Sequence, residues 1–181
     1  VHHYRKALAE KNYVADAAQE KAIMRLQDLF EELIDFKDQR SGFFKRMINR
    51  PDVPKGVYLW GGVGRGKSFL MDSFYNYLPY KRKVRIHFHE FMRSIHQQMQ
   101  AIKGTEDPLD LVAKRTAEKY RLICFDEFHV SDIADAMILH RLLEKLFDYG
   151  CTFVMTSNYE PSTLYPDGLH RDRILPAIEL I

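Results

Sequence analysis

The amino-acid sequence predicts an α/β fold, in which a parallel, doubly wound sheet is flanked by helices. Three observations support this prediction. Short apolar runs alternate along the chain with segments of helical periodicity, as in strands joined by crossover helices. Two of the runs, at 122–125 and 151–156, are almost continuously apolar, which is typical of strands covered on both faces. A glycine-rich loop separates the first run from the helix after it.

The composition is that of a globular domain with a sizeable core. Of 181 residues, 46% are hydrophobic and 29% are charged, which are ordinary values. The formal net charge of +2 gives no strong nucleic-acid or membrane signal. The densest basic run, Lys81–Lys83 with Arg85, is interpreted as a solvated turn before a strand, with a binding patch as the alternative. No apolar stretch reaches transmembrane length.

Residues 1–54 are predicted to form an N-terminal helical segment and a linker. Apolar side chains recur at helical spacing between Ala17 and Phe36. Asp16 is a plausible N-cap, and Gln19 follows it at capping-box spacing. The charged stretch 37–54, which contains glycine and prolines, predicts a linker with room for one short helix.

Residues 55–181 contain the alternating elements. Strands are predicted over 57–60, 84–89, 122–125 and 151–156. Helices are predicted from the glycine loop to before Pro79, and over 90–102, 108–120 and 133–149, the last ended by Gly150. Ligands of such sheets bind at the carboxyl ends of the strands, so the polar residues that end each strand are the candidates for a site.

The glycine loop is the most specific motif. Residues 61–68 match the P-loop pattern G-x-x-x-x-G-K-[ST], with a strand before them and a helix after them. Inward-facing backbone N–H groups and a helix N-terminus favour an anion, Lys67 can reach β- and γ-phosphates, and the Ser68 hydroxyl can ligate Mg²⁺. The alternative is a glycine-rich turn with a chance Lys-Ser. The predicted nucleotide-contact residues are Gly61, Gly62, Val63, Gly64, Arg65, Gly66, Lys67, Ser68 and Phe69.

Two acidic residues end the apolar run at 122–125. Asp126 and Glu127 stand where a Walker B motif holds its acids, so Asp126 is predicted to help bind Mg²⁺ and Glu127 to act as general base on the attacking water. The alternative is that the two acids cap the next helix. The additional strand predicted between the P-loop and Asp126, together with the adjacent Glu127, favours the ATPases that carry a catalytic glutamate over nucleotide kinases and small GTPases.

Polar residues after the 151–156 strand are further candidates. Asn158 can contact the γ-phosphate or its water, or equally serve as a turn residue before Pro161. Arg171 and Arg173 suit phosphate contact, one of them as an arginine finger supplied by a neighbouring subunit. Surface pairing with Asp172 is an equal alternative.

The histidines carry a weaker signal. His87 and His89 are predicted to share one face of the second strand, and His129 follows Glu127 closely. Their spacing is not that of a zinc site on a helix. They are interpreted as core or supporting residues rather than catalytic ones.

These motifs, in this order, resemble the ZapE-type cell-division AAA+ ATPases, a family shared with mitochondrial AFG-one-like ATPases. The resemblance covers nearly the whole chain. Its most particular parts are the histidine-rich run at 87–92 and the run at 131–137. Further matching runs are residues 61–68, 124–128, 156–158 and 168–176.

The resemblance implies a P-loop NTPase of the AAA+ class, with residues 55–181 as its nucleotide-binding core. It implies ATP and Mg²⁺ as cofactors, Asn158 in the sensor-one role, and a finger near Arg171 and Arg173, of which Arg173 is favoured. It also implies a homo-oligomer, a bacterial cytoplasmic location rather than the mitochondrial matrix, and association with the division protein FtsZ. Because the family continues with a fifth strand and a helical lid, we expect this chain to end before that strand.

Two other classes of function stay open on the sequence. One is a nucleotide-gated binding module, which Glu127 disfavours because such a switch needs no catalytic base. The other is a helicase-loader-like ATPase that acts on DNA, which the absence of a strong basic stripe disfavours.

Overall fold

The computed structural model describes residues 17–41, 51–102, 104–161 and 177–180, with Ser41 and the last four residues described by their backbone alone. The helices are α1 (Ala17–Ser41), α2 (Lys67–Tyr77), α3 (Phe88–Ala101), α4 (Pro108–Lys119) and α5 (Ile133–Asp148). The strands are β1 (Val57–Trp60), β2 (Lys83–His87), β3 (Leu122–Asp126), β4 (Thr152–Ser157) and β5 (Ala177–Leu180).

The strands form one parallel sheet in the order β2-β3-β4-β1-β5. The register pairs Trp60 of β1 with Ser157 of β4, and His87 of β2 with Asp126 of β3. Parallel neighbours need crossover connections, and the helices provide them. The predicted parallel α/β fold is confirmed.

Side chains of the sheet alternate between two hydrophobic cores. On β3, Ile123 and Phe125 belong to a core shared with α3, α4 and α5, whereas Leu122 and Cys124 belong to one shared with α1 and α2. All four are fully buried, which explains why the β3 run lacks polar alternation. No helix among the described ranges has both the length and the apolar character that a membrane span requires.

The prediction that the chain ends before the fifth strand was wrong. β5 pairs in parallel with β1 along its whole length, Ala177 opposite Val57 and Leu180 opposite Trp60. The strand is only four residues long and follows Pro176 directly.

The first helix is longer than predicted. α1 runs to Ser41, so the first residues assigned to the linker are helical, and residues 42–50 lie outside the described ranges, as does the predicted cap Asp16. α1 buries Leu26, Leu29 and Leu33 in the same core as Val57 of β1. The division of the chain at residue 54 therefore stays a prediction, and the helix and sheet on its two sides share a core.

The second strand is shorter than predicted. β2 ends at His87 and α3 begins at Phe88, because Phe88, Phe91, Met92 and Ile95 repeat at helical spacing and are all buried. His89 therefore lies in the first turn of α3. The prediction that His87 and His89 share a strand face was wrong.

Gly150 ends α5 as predicted. Its φ of 92° is left-handed, its N–H bonds the carbonyl of Phe147 at 2.8 Å, and the next N–H, of Cys151, bonds the carbonyl of Leu146 at 2.9 Å. These two bonds define a Schellman motif. A Cβ at Gly150 would lie 2.8 Å from Nη1 of Arg121 and 3.0 Å from Nη1 of Arg40. The left-handed φ favours glycine here, and a larger residue would also have to displace the ends of these two side chains.

We predict that Gly150→Ala lowers the free energy of unfolding by about 1–2 kcal/mol through left-handed strain, and further through displacement of the two guanidinium groups. The matched control is Gly104→Ala, because Gly104 has a φ of 95° and a Cβ added there would meet no neighbouring atom within 4 Å. Urea denaturation measures both. If both variants lose the same free energy of unfolding, displacement of the two arginine side chains has no measurable effect on stability.

Candidate nucleotide site

The candidate site lies at the carboxyl edge of the sheet. Because β4 stands between β1 and β3, the loops that follow these three strands meet there. They enclose an open cleft of about 430 Å³. Its lining consists of Val63, Gly64, Arg65, Gly66, Lys67, Ser68, Phe69, Glu127, Thr156, Ser157 and Asn158.

The glycine loop is joined to β4 and to the start of α2. The N–H of Gly61 donates to the carbonyl of Ser157 at 3.3 Å. Gly66 is the N-cap of α2 with a left-handed φ of 80°, so the chain turns into the helix where only glycine fits easily. The N-terminus of an eleven-residue helix therefore faces the cleft.

Lys67 is held within the glycine loop. Its Nζ donates to the carbonyls of Gly61 at 2.8 Å and Gly62 at 2.7 Å. Burial lowers the pKa of Lys67, and the charge of Arg65 lowers it further. An anion in the cleft would raise the pKa of Lys67 again, because a nearby negative charge favours the charged ammonium.

Gln19 connects α1 to the same loop, a contact that the sequence did not reveal. It is buried, and its Nε2 donates to the carbonyl of Arg65 at 3.0 Å over 46 residues of sequence. Gln19 was interpreted only as part of a capping box. A buried glutamine on the apolar side of a helix was the available signal, because such an amide requires a partner.

Asp126 ends β3 and is paired with a cation from β2. Nε of Arg85 donates to Oδ2 of Asp126 at 2.6 Å, and Nη1 of Arg85 also contacts Asp72 of α2. The carboxylate is largely buried, with 12% of the side chain exposed. Of the basic run interpreted as a solvated turn before a strand, Lys83 already belongs to β2, and Arg85 lies within the strand as predicted.

Glu127 projects from a strained position into the cleft. Its φ of 52° is the one left-handed value among the non-glycine residues described, and 79% of its side chain is exposed. Its N–H donates to Oγ1 of Thr156 at 3.3 Å. Nδ1 of His87 lies 3.8 Å from Oε2 of Glu127, so His87 is next to the acid rather than in the core.

Asn158 lines the cleft beside the glycine loop and is exposed. The residues around it fix its position: Oγ of Ser157 donates to the carbonyl of Phe128 at 2.7 Å and accepts from the N–H of Tyr159 at 3.1 Å. The ring of Tyr159 stacks on His129 at 4.3 Å. Arg171 and Arg173 lie outside the described residues, so their assignment stays a prediction.

A sequence model of the family described as AFG1-like ATPase matches residues 1–181. The chain belongs to the AFG1-like ATPase family. It is 44% identical to the Cell division protein ZapE of Escherichia coli K12 over 98% of this chain and 50% of that protein. It is 43% identical to Lactation elevated protein 1 homolog B of Danio rerio over 74% of this chain and 29% of that protein. The chain thus spans half or less of the length of these relatives.

The fold is that of the P-loop AAA+ proteins. Domain III of the Thermotoga maritima replication initiation protein DnaA superposes with a TM-score of 0.64 at 19% identity, covering 94% of this chain and 65% of that one. AMPPCP-bound DnaA from Aquifex aeolicus gives a TM-score of 0.61 at 15% identity, covering 94% and 49%. At these identities the likeness concerns the fold alone.

We predict that Thr156→Val speeds hydrogen exchange of the Glu127 amide by about fivefold, which corresponds to roughly 1 kcal/mol for one lost hydrogen bond. Valine keeps the shape of the buried Thr156 side chain but has no acceptor for the Glu127 N–H. Thr156→Ser is the control, since it keeps the hydroxyl and loses only a methyl group. The same exchange rate in both variants, measured by NMR, would contradict a role for this bond.

Proposed function

We propose that the protein hydrolyses ATP in a Mg²⁺-dependent reaction and couples the hydrolysis to action on a protein partner. The observation that carries this proposal is the cleft itself, in which a glycine loop, the start of α2, Glu127 and Asn158 surround one volume of about 430 Å³. A triphosphate bound on the loop would lie beside the carboxylate of Glu127, which follows β3, and the amide of Asn158, which follows β4.

Binding of the triphosphate rests on the loop from Gly61 to Phe69. Loop and helix N–H groups suit phosphate oxygens. Lys67 would exchange the carbonyls of Gly61 and Gly62 for the β- and γ-phosphates. The lowered pKa of Lys67, caused first by burial, would rise again because phosphate oxygens stabilise the ammonium.

We propose that Ser68, which lines the cleft, and Asp126, which lies beside it at the end of β3, would hold a magnesium ion. The Ser68 hydroxyl lies exposed in the cleft, and Asp126 ends the adjoining strand β3. Hydroxyl and carboxylate oxygens are the ligands that Mg²⁺ prefers, alongside water and phosphate. When bound, the ion would neutralise charge on the phosphates. Arg85, which forms an ion pair with Asp126, would then share the carboxylate of Asp126 with the ion.

The chemistry rests on Glu127 and Asn158. Glu127 has its backbone fixed by Thr156 and its carboxylate in the cleft, so it can take a proton from a water at the γ-phosphate. Asn158 would orient that water or the phosphate. With 79% of its side chain exposed, Glu127 can be reached by water. An acid at this position favours hydrolysis over a nucleotide-gated binding module, because such a module needs no base.

The partner and location are proposed from the ZapE relative, whose name assigns it to cell division. By this resemblance the partner is the FtsZ-like division protein, the assembly is a homo-oligomer, and the site of action is the bacterial cytoplasm. The DnaA likeness concerns the fold alone, so a DNA-acting loader is the less supported alternative.

We predict that Glu127→Gln lowers ATP turnover by roughly 10²–10⁴-fold while ATP still binds, because Lys67, Ser68 and Asp126 are unchanged. Turnover by phosphate release and affinity by calorimetry separate the two effects. Glu118→Gln, at an exposed glutamate of α4, is the matched control and should behave as wild type. Near-normal turnover in the Glu127 variant would exclude this residue as the base.

We also propose that Arg173, rather than Arg171, acts as a finger in the site of a neighbouring subunit. Lys67→Ala and Arg173→Ala proteins should each be inactive, and mixing them should restore ATPase activity where an intact P-loop meets an intact Arg173. Sedimentation confirms that mixed assemblies have formed. Mixed assemblies without any recovered activity would mean that Arg173 acts within its own subunit or only structurally.

A further inference from the structure

A second cavity lies at the amino edge of the sheet, remote from the cleft. Its volume is about 410 Å³, and we refer to it as the basic pocket. Among the described residues no Asp or Glu lines it. Its walls include the side chains of Phe36 and Tyr80, and its cations are Lys37, Arg40, Lys81, Arg82 and Arg121.

Main-chain bonds fix the pocket to the start of the strands. Arg82 and Arg121 directly precede β2 and β3, and the carbonyl of Arg121 accepts from the N–H of Thr152, the first residue of β4, at 2.9 Å. The glycine loop follows the other end of the sheet. A five-residue strand spans about 16 Å, so one small ligand cannot occupy both places.

Two of the guanidinium groups that line the basic pocket lie close together beside Gly150. Arg40 comes from the last turn of α1 and Arg121 from the residue before β3, yet Nη1 of each lies within 3.0 Å of the same point, the position that a Cβ on Gly150 would take. Like charges brought together at a partly buried place repel, and an anion between them removes that repulsion.

The cations are held in place before any ligand arrives. Nζ of Lys37 donates to the carbonyl of Pro79 at 3.1 Å and stands 5.9 Å from the centre of the Tyr80 ring. The guanidinium of Arg40 lies 5.3 Å from the centre of the Phe36 ring. Side chains fixed in this way lose less freedom when they bind, which strengthens binding. Both rings are largely buried, and a cation already lies over each of them, which disfavours stacking of a nucleobase there.

We propose that the basic pocket binds a small phosphate-bearing anion, either free pyrophosphate or the phosphorylated end of a small molecule. Guanidinium forks match phosphate oxygens in pairs. Five basic residues line this one cavity, and although Arg82 and Arg121 also donate to main-chain carbonyls, each guanidinium has further N–H groups to offer. Such a set suits a compact group of two or more negative charges. A nucleic acid is less favoured, because its backbone needs cations spread along a track, and here they surround a single cavity. This proposal does not depend on ATP hydrolysis.

The test is calorimetric titration of pyrophosphate into protein that carries Lys67→Ala, which weakens competing binding at the glycine loop. Adding Arg40→Gln should weaken pyrophosphate binding about tenfold or more, the effect of one lost charge-assisted hydrogen bond. Arg40→Lys should give an intermediate loss. Arg93→Gln, at an exposed arginine of α3, is the control and should leave the affinity unchanged.

NMR locates the ligand independently of these variants. Pyrophosphate should shift the amide signal of Gly150, beside the two guanidinium groups, more than that of Gly64 in the loop.

No binding, or binding that Arg40→Gln leaves unchanged, would overturn the proposal. Sulfate that binds as tightly as pyrophosphate would also overturn it, because the pocket would then select no phosphate group. If a single-stranded oligonucleotide binds more tightly than pyrophosphate, and this binding depends on Arg40, the pocket binds a nucleic acid and not a small anion. Inorganic phosphate and a phosphorylated sugar, titrated in parallel, distinguish a free anion from an ester.

Discussion

The position of β4 in the sheet is the constraint on which the candidate site depends. β4 separates β1 from β3, and at its carboxyl end it bonds to the loops of both neighbours. The carbonyl of Ser157 accepts from Gly61, and the carbonyl of Thr156 accepts from Phe128 at 2.8 Å. A different strand order would leave the glycine loop and the acids of β3 in separate places. The strand order thus brings the functional side chains together, and their chemistry depends on that placement.

The two cores give this arrangement its rigidity. β3 and β4 are buried on both faces, so their ends can shift only if helices on both sides move. The strained backbone of Glu127, with its φ of 52°, is sustained by such surroundings, since an isolated loop would relax to a more favourable conformation. A fixed acid beside a glycine loop is what preorganised phosphate chemistry requires.

Much of the fold followed from local patterns, whereas the links between distant segments did not. Continuous apolar runs predicted β3 and β4, and the glycine loop located the start of α2. The boundary between β2 and α3 was misplaced because the run of alternating histidines resembles a strand, while tertiary burial of Phe88 and Phe91 favours a helix. Contacts such as Gln19 with Arg65, or Arg85 with Asp126, join residues 46 and 41 positions apart. No short-range pattern encodes them, and both depend on how the helices pack.

The charged residues of β2 have a consequence for how the molecule meets other chains. In the described sheet β2 is an outer strand, hydrogen-bonded on one side only. Such a strand is a template on which a foreign strand can add. Lys83 and Arg85 point their charges into the protein's own carbonyls and carboxylates, so a chain that pairs with β2 would have to pass close to, or dislodge, these cations. Arg85, which neutralises Asp126, thereby also helps, together with Lys83, to protect the outer strand of the sheet against aggregation.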